Sequence, residues 1–170
     1  MEIAIAITGL IGIYLTHVWT KLYEQQKFRA LKLNETFKAV NRIIAHQIEH
    51  GIVTHSLFKR EITLAQWNLL VPEERNKNIV IEHSDMLTDV ATYCPKLTEP
   101  LARYQACMGA IPQMHTSNIQ SIMAFDRNPD DAAAARDLDK ISKEIGKLLE
   151  EGHHINAEIK TIMSDLQSHK

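Results

Sequence analysis

No proline stands before Pro72, and Gly9, Gly12 and Gly51 are the only glycines in that stretch. Strands rarely exceed about ten residues, and loops need turn-forming residues, so a run this long without breakers is left with one regular solution, a long helix. The side-chain order agrees. Ala30, Leu33, Phe37, Val40 and Ile44 recur at alternating steps of three and four, and Ile48, Ile52 and His55 continue the stripe after a shift of register. Gly51 weakens helix locally, which places the expected end near Ser56.

The start of this helix is apolar on every side. Residues 3–19, IAIAITGLIGIYLTHVW, contain no acid, lysine or arginine and lie between Glu2 and Lys21. At 1.5 Å per residue they span about 25 Å, the short end of a bilayer core. The start lacks the positive n-region and small-x-small cleavage signal of a secretory leader, so we expect a retained single-pass anchor. Tyr14, Trp19 and Tyr23 fall where rings favour the headgroup level, and His17 fits there as an interfacial residue. Lys21, Lys27, Arg29, Lys32 and Lys38 follow the segment, which directs the remainder to the cytoplasmic face of the cell (inner) membrane. Ala4, Thr8 and Gly12 line one face at a spacing of four and are the candidate surface for helix packing within the membrane.

Beyond the first helix, Thr63 is a candidate N-cap for a short turn through Trp67 and Leu70, inside a connector. Pro72-Glu73-Glu74 has the composition of a helix start, and Ile79, His83, Met86, Val90 and Tyr93 share a face up to Pro95. A third helix begins at Thr98, with its hydroxyl as cap, and carries Leu101, Tyr104, Met108, Ile111, His115, Asn118, Ile122 and Phe125 on one stripe. Pro112 should kink or split it between Gly109 and Ile111. Residues 126–130, DRNPD, form a turn. The last helix holds the most regular pattern: Leu138, Ile141, Ile145, Leu148, Gly152, Ile155, Ile159, Ile162 and Leu166 form a seam that demands a helical partner, within the bundle or in another chain as a coiled coil.

The expected architecture is therefore all-α. An anchor at 3–19 continues through 20–56 as the first helix of an antiparallel four-helix-bundle-like domain, completed within 57–170 by helices at about 72–94, 98–125 and 130–167. With 170 residues there is room for one such domain and one span.

A net charge of −2 and the absence of a dense Lys/Arg run argue against nucleic-acid binding. Cys94 and Cys107 have no CxxC spacing and read as reduced, half-buried thiols. The one string with metal-site spacing is His46-Gln47-Ile48-Glu49-His50, the H-x-x-E-H that inverted zinc metallopeptidases use. Imidazoles at i and i+4 can share a zinc ion while Glu49 serves as base to a bound water. An alternative function, small metal-binding protein or metallohydrolase, would rest on His46, Glu49 and His50. A third ligand is not identifiable, and the apolar stripe leaves both histidines on the helix flank, so the expectation is two solvated histidines beside a surface glutamate. His83 and His115 fall on apolar stripes and are expected as packed core residues; His153 and His154 point in different directions on a polar face.

No phosphate-binding loop, dinucleotide glycine pattern or nucleophile elbow is present. The expected function is a membrane-anchored helical interaction or scaffold module, without cofactor or catalytic residues, whose partners are the membrane through 3–19 and a protein or second copy.

Overall fold

The computed structural model describes the backbone of residues 2–71 and 85–168, and the side chains of residues 14–71 and 85–168. Among them every regular element is helical. α1 spans Glu2–Phe58, α2 Leu64–Leu70, α3 residues 85–93, α4 Thr98–Ser117, α5 Ile119–Arg127 and α6 Ala132–Ser168. The packing Ala4, Thr8 and Gly12 were expected to provide, together with His83 and the start of the helix expected from residue 72, lies outside the described residues. Among the described residues no helix is long and apolar enough to cross a membrane.

Three long helices enclose the core. α6 packs against both α1 and α4, and α1 and α4 touch each other. Their directions follow from the pairings. The Tyr104 hydroxyl of α4 donates to the Ile44 carbonyl at 3.2 Å, and Phe58 meets His115, so α1 and α4 run the same way. Arg103 joins Glu158 at 2.6 Å while Arg60 joins Asp139 at 2.7 Å, so α6 runs against both. The bundle-like, all-helical expectation holds. Met86, Val90 and Cys94 bring α3 into the same cluster.

Cross-helix approach is closest around Met108. A Cβ on Gly51 of α1 would stand 3.2 Å from the Met108 methyl, and one on Gly152 of α6 would stand 2.6 Å from its sulfur. One methionine side chain occupies the notches left by two glycines on two helices. Gly51 thus marks a crossing, and α1 continues past it to Phe58.

Three local expectations are corrected. α4 does not split at Pro112; it runs through that proline and breaks at Asn118, whose φ is −117° and ψ 15°. An internal proline costs about 3 kcal/mol, but Pro112 is on the exposed side, while Met108, Ile111 and His115 on the packed side are buried and hold the helix in line. Asn118 then turns its side-chain amide back to donate to the Met114 carbonyl at 2.8 Å. Thr98 makes no cap. A 3-10 turn over Pro95–Leu97 leads straight into α4, so Thr98 is already helical.

The α6 seam also shifts. Leu138, Ile141, Ile145, Gly152, Ile155 and Ile159 are buried as expected, but Leu148, Ile162 and Leu166 are only partly covered, and Leu149, Asn156 and Met163 take the buried places. A helix facing one partner buries a narrow a/d line; α6 lies against α1, α4 and α5, which draws in the neighbouring line as well.

α1 leaves the bundle through Arg60 in the left-handed region, φ 65°. A non-glycine there costs about 1–2 kcal/mol. Its side chain is held by Asp139 and lies 5.4 Å over the Phe125 ring, which fixes the reversal. Thr63 then starts α2 as expected, through a complete capping box: its hydroxyl accepts from the Gln66 amide at 3.3 Å, and its own amide donates to the Gln66 side chain at 2.8 Å. Thr63→Ala should cost about 1 kcal/mol, confined to α2. Hydrogen exchange should accelerate at residues 64–70 and stay unchanged in α6; equal acceleration in both would contradict this local role.

Candidate functional site

Two of the buried polar side chains among the described residues, Thr54 and His115, meet where α2 folds back on α1 and α4. α1 supplies His50, Thr54 and Phe58, one helical turn apart; α4 supplies His115 near its C-terminus; α2 supplies Trp67. The Trp67 ring stacks on His115 with centroids 4.1 Å apart and planes 20° from parallel. His50 meets the same indole edge-on at 5.9 Å, and Phe58 meets His115 edge-on at 6.5 Å. The indole N–H donates to the Thr54 hydroxyl at 3.1 Å, and Thr54 is fully buried.

The electrostatics of this cluster are set by burial. His115 is 9% exposed and its Nε2 has no hydrogen-bond partner. Its basicity is lowered by loss of solvent. His50 is pushed down to about 4, first by burial and then by the neighbouring His46 and His115. An imidazolium stacked on an indole in a desolvated site gains about 2 kcal/mol from cation–π attraction. Desolvating the charge without an acceptor costs more, so both rings are neutral near neutral pH. Gln47 on α1 likewise has a buried Oε1 without a partner.

The H-x-x-E-H string is placed differently from expectation. His46 and His50 are half-buried rather than solvated, 6.5 Å apart between ring centroids, and His50 faces Trp67. The apolar stripe of α1 would leave them wet; α2, folding back over the flank, covers it. Glu49 is exposed. Among the described residues no group of three or more His, Cys, Asp or Glu side chains is gathered that could hold a metal ion. His115 is a core histidine as expected, and its neighbour is Trp67. His153 and His154 are exposed.

Neither cysteine is activated as a nucleophile. Cys94 and Cys107 are buried, beyond the half-burial expected, and form no disulfide; burial pushes Cys107 up, and it donates to the Leu148 carbonyl at 3.1 Å. Burial also raises the Tyr104 phenol. The cluster's available chemistry is therefore proton uptake by neutral bases and the packing of one indole. A cap signal at Thr63 made α2 foreseeable, but nothing local joins Trp67 to a histidine 48 positions later; that contact exists because α1 and α4 lie side by side.

A second feature lies at the other end. Among the described side chains of α1, Thr36 and Phe37 are the first that are buried, and before them Tyr14, Leu15, Trp19, Leu22, Tyr23, Phe28 and Leu31 are exposed. Leu15, Trp19 and Leu22 lie on the same line of the helix as Leu33, Phe37 and Val40, which pack into the bundle. Between α1 and α3 this end carries an open groove of about 730 Å³ whose walls include Tyr23, Arg29, Leu33 and Tyr93.

No family model, no curated protein and no solved structure matches this chain.

Proposed function

We propose that the chain is a membrane-anchored helical interaction or scaffold module: residues 3–19 hold it as a single pass in the cell membrane, and the bundle stands on the cytoplasmic side, where it docks a protein partner or a second copy. The observation that carries this reading is the part of α1 that the bundle does not cover. Before Thr36 the helix extends about 50 Å at 1.5 Å per residue, with seven large apolar side chains exposed on the described part alone. Apolar surface on that scale, displayed on a helix that continues into residues 3–13, is what a lipid or protein surface covers. Tyr14, Trp19 and Tyr23 supply the interfacial rings, and Lys21, Lys27 and Arg29, all exposed, supply the cytoplasmic-side charge. The groove between α1 and α3 lies close to this membrane-proximal end and is the natural place for a partner's side chains.

Cell fractionation tests the anchor. The full chain should stay in the membrane pellet through high-salt and carbonate washes and leave it only with detergent, whereas a chain lacking residues 1–20 should appear in the supernatant, a shift of about tenfold or more. Equal solubility of the two without detergent would remove the anchor.

A further inference from the structure

α2 is attached to the bundle by two side chains, Leu64 and Trp67, both only partly buried. None of its seven residues is fully buried, and Leu69 and Leu70 face outward, 82% and 53% exposed. Leu64 contributes apolar contact only, while Trp67 adds a hydrogen bond to Thr54 and ring contacts with His115 and His50. One indole is thus held between imidazoles from two different helices.

The charges around it are few. α2, LAQWNLL, has no ionisable side chain. α1 presents His50, with His46 one turn behind it, and Glu49 lies on the exposed side of the helix. α4 presents His115 alone. In α5, Asp126 and Arg127 are exposed at its far end. In the connector, Lys59 pairs with Glu61 at 3.7 Å, and Arg60 pairs with Asp139 of α6. His55, on another flank of α1, approaches Gly146 of α6. Among the described residues no carboxylate is placed to balance a proton on His115 or His50.

We propose that α2 is an acid-released strap, undocked from the bundle when His115 and His50 take up protons. Two like charges on either side of one indole repel, and the His115 ring, nine-tenths buried with no acceptor at Nε2, must reach water to carry its charge. The bundle yields where least holds it, at α2. Both histidines bind protons less readily in the docked state than when released. Docking is therefore complete above the ordinary histidine value of about 6.5 and is lost as the pH falls toward about 4. Release bares Trp67 and the face of α1 and α4 beneath it, an apolar surface offered only in acid. This inference is independent of the membrane reading, because the cluster lies at the opposite end of the bundle from residues 3–19.

Trp19 and Trp67 are the only tryptophans, so in the full-length Trp19→Phe chain the emission reports Trp67 alone. Titrated from about pH 8 to about pH 4, emission should shift to the red and acrylamide quenching should rise several-fold, with a midpoint below about 6.5, while far-UV circular dichroism keeps the signal of the long helices. In the same background, His50→Phe with His115→Phe keeps the rings but removes the protons, and should abolish the transition. Hydrogen exchange on the unmodified chain, corrected for intrinsic rates, should show acid-induced loss of protection confined to residues 64–70. A flat emission profile, a fluorescence change that coincides with loss of helicity, an unchanged midpoint in the double variant, or uniform acid-induced exchange would each overturn the strap.

Discussion

Replacing Gly51 by leucine is expected to destabilise the folded chain by about 3 kcal/mol, and Gly51→Ala by close to nothing. The contrast follows from what surrounds the glycine. A Cβ there meets only the ends of flexible side chains, Leu149 Cδ2 at 2.8 Å and Ile111 Cδ1 and the Met108 methyl at 3.2 Å, which a small shift accommodates. Alanine also gains about 1 kcal/mol of helix propensity over glycine, which offsets that shift. A leucine must displace Met108, and Met108 has nowhere to go: it is buried, and its sulfur already fills the notch at Gly152. Thermal unfolding should show Gly51→Leu lowered by about 6–12 °C for a chain of this size. Adding Met108→Ala should return part of that loss, since the truncation opens the volume the leucine needs. Independent, additive effects of the two substitutions would mean that the helices do not meet at this level.

The second large effect is expected at Tyr104, which is 1% exposed and touches both neighbouring helices, through the Ile44 carbonyl of α1 and beside Gly152 of α6. Tyr104→Ala should cost about 4 kcal/mol, the loss of a buried ring together with the cavity it leaves. Tyr104→Phe should cost only about 1 kcal/mol, because the Ile44 carbonyl retains its place in the α1 ladder and loses one additional donor. Urea unfolding separates the two variants. If Tyr104→Phe proved as damaging as Tyr104→Ala, the hydroxyl rather than the ring would be holding the three helices together.

Tyr104 stands on the apolar stripe of its helix, but the importance of Gly51 is understated by the pattern of apolar positions. Gly51 reads along the chain as a weak point in a helix, and the tertiary structure makes it a crossing. Pro112 reads as a break, and packing on the opposite face carries the helix through. Leu148 and Ile162 read as seam residues, yet Leu149 and Met163 are the ones enclosed. His46 and His50 read as wet because nothing within a few positions covers their flank; α2 covers it, from a segment that follows a left-handed turn at Arg60.

The sequence by itself determined what is decided within about one turn of helix: the all-helical class, the long uninterrupted α1, the Thr63 N-cap, a break before α6 that comes two residues later than the expected 126–130 because α5 runs on to Arg127, and the placing of His115 on an apolar stripe. Propensity, caps and three-four periodicity are interactions between residues i and i+4, and the chain order specifies them directly. Only the tertiary structure decided which flank of each helix is enclosed, where two glycines admit one methionine, and that Trp67 stacks on His115. Those depend on which helix lies beside which, and that is settled by the joint packing of surfaces far apart in the chain.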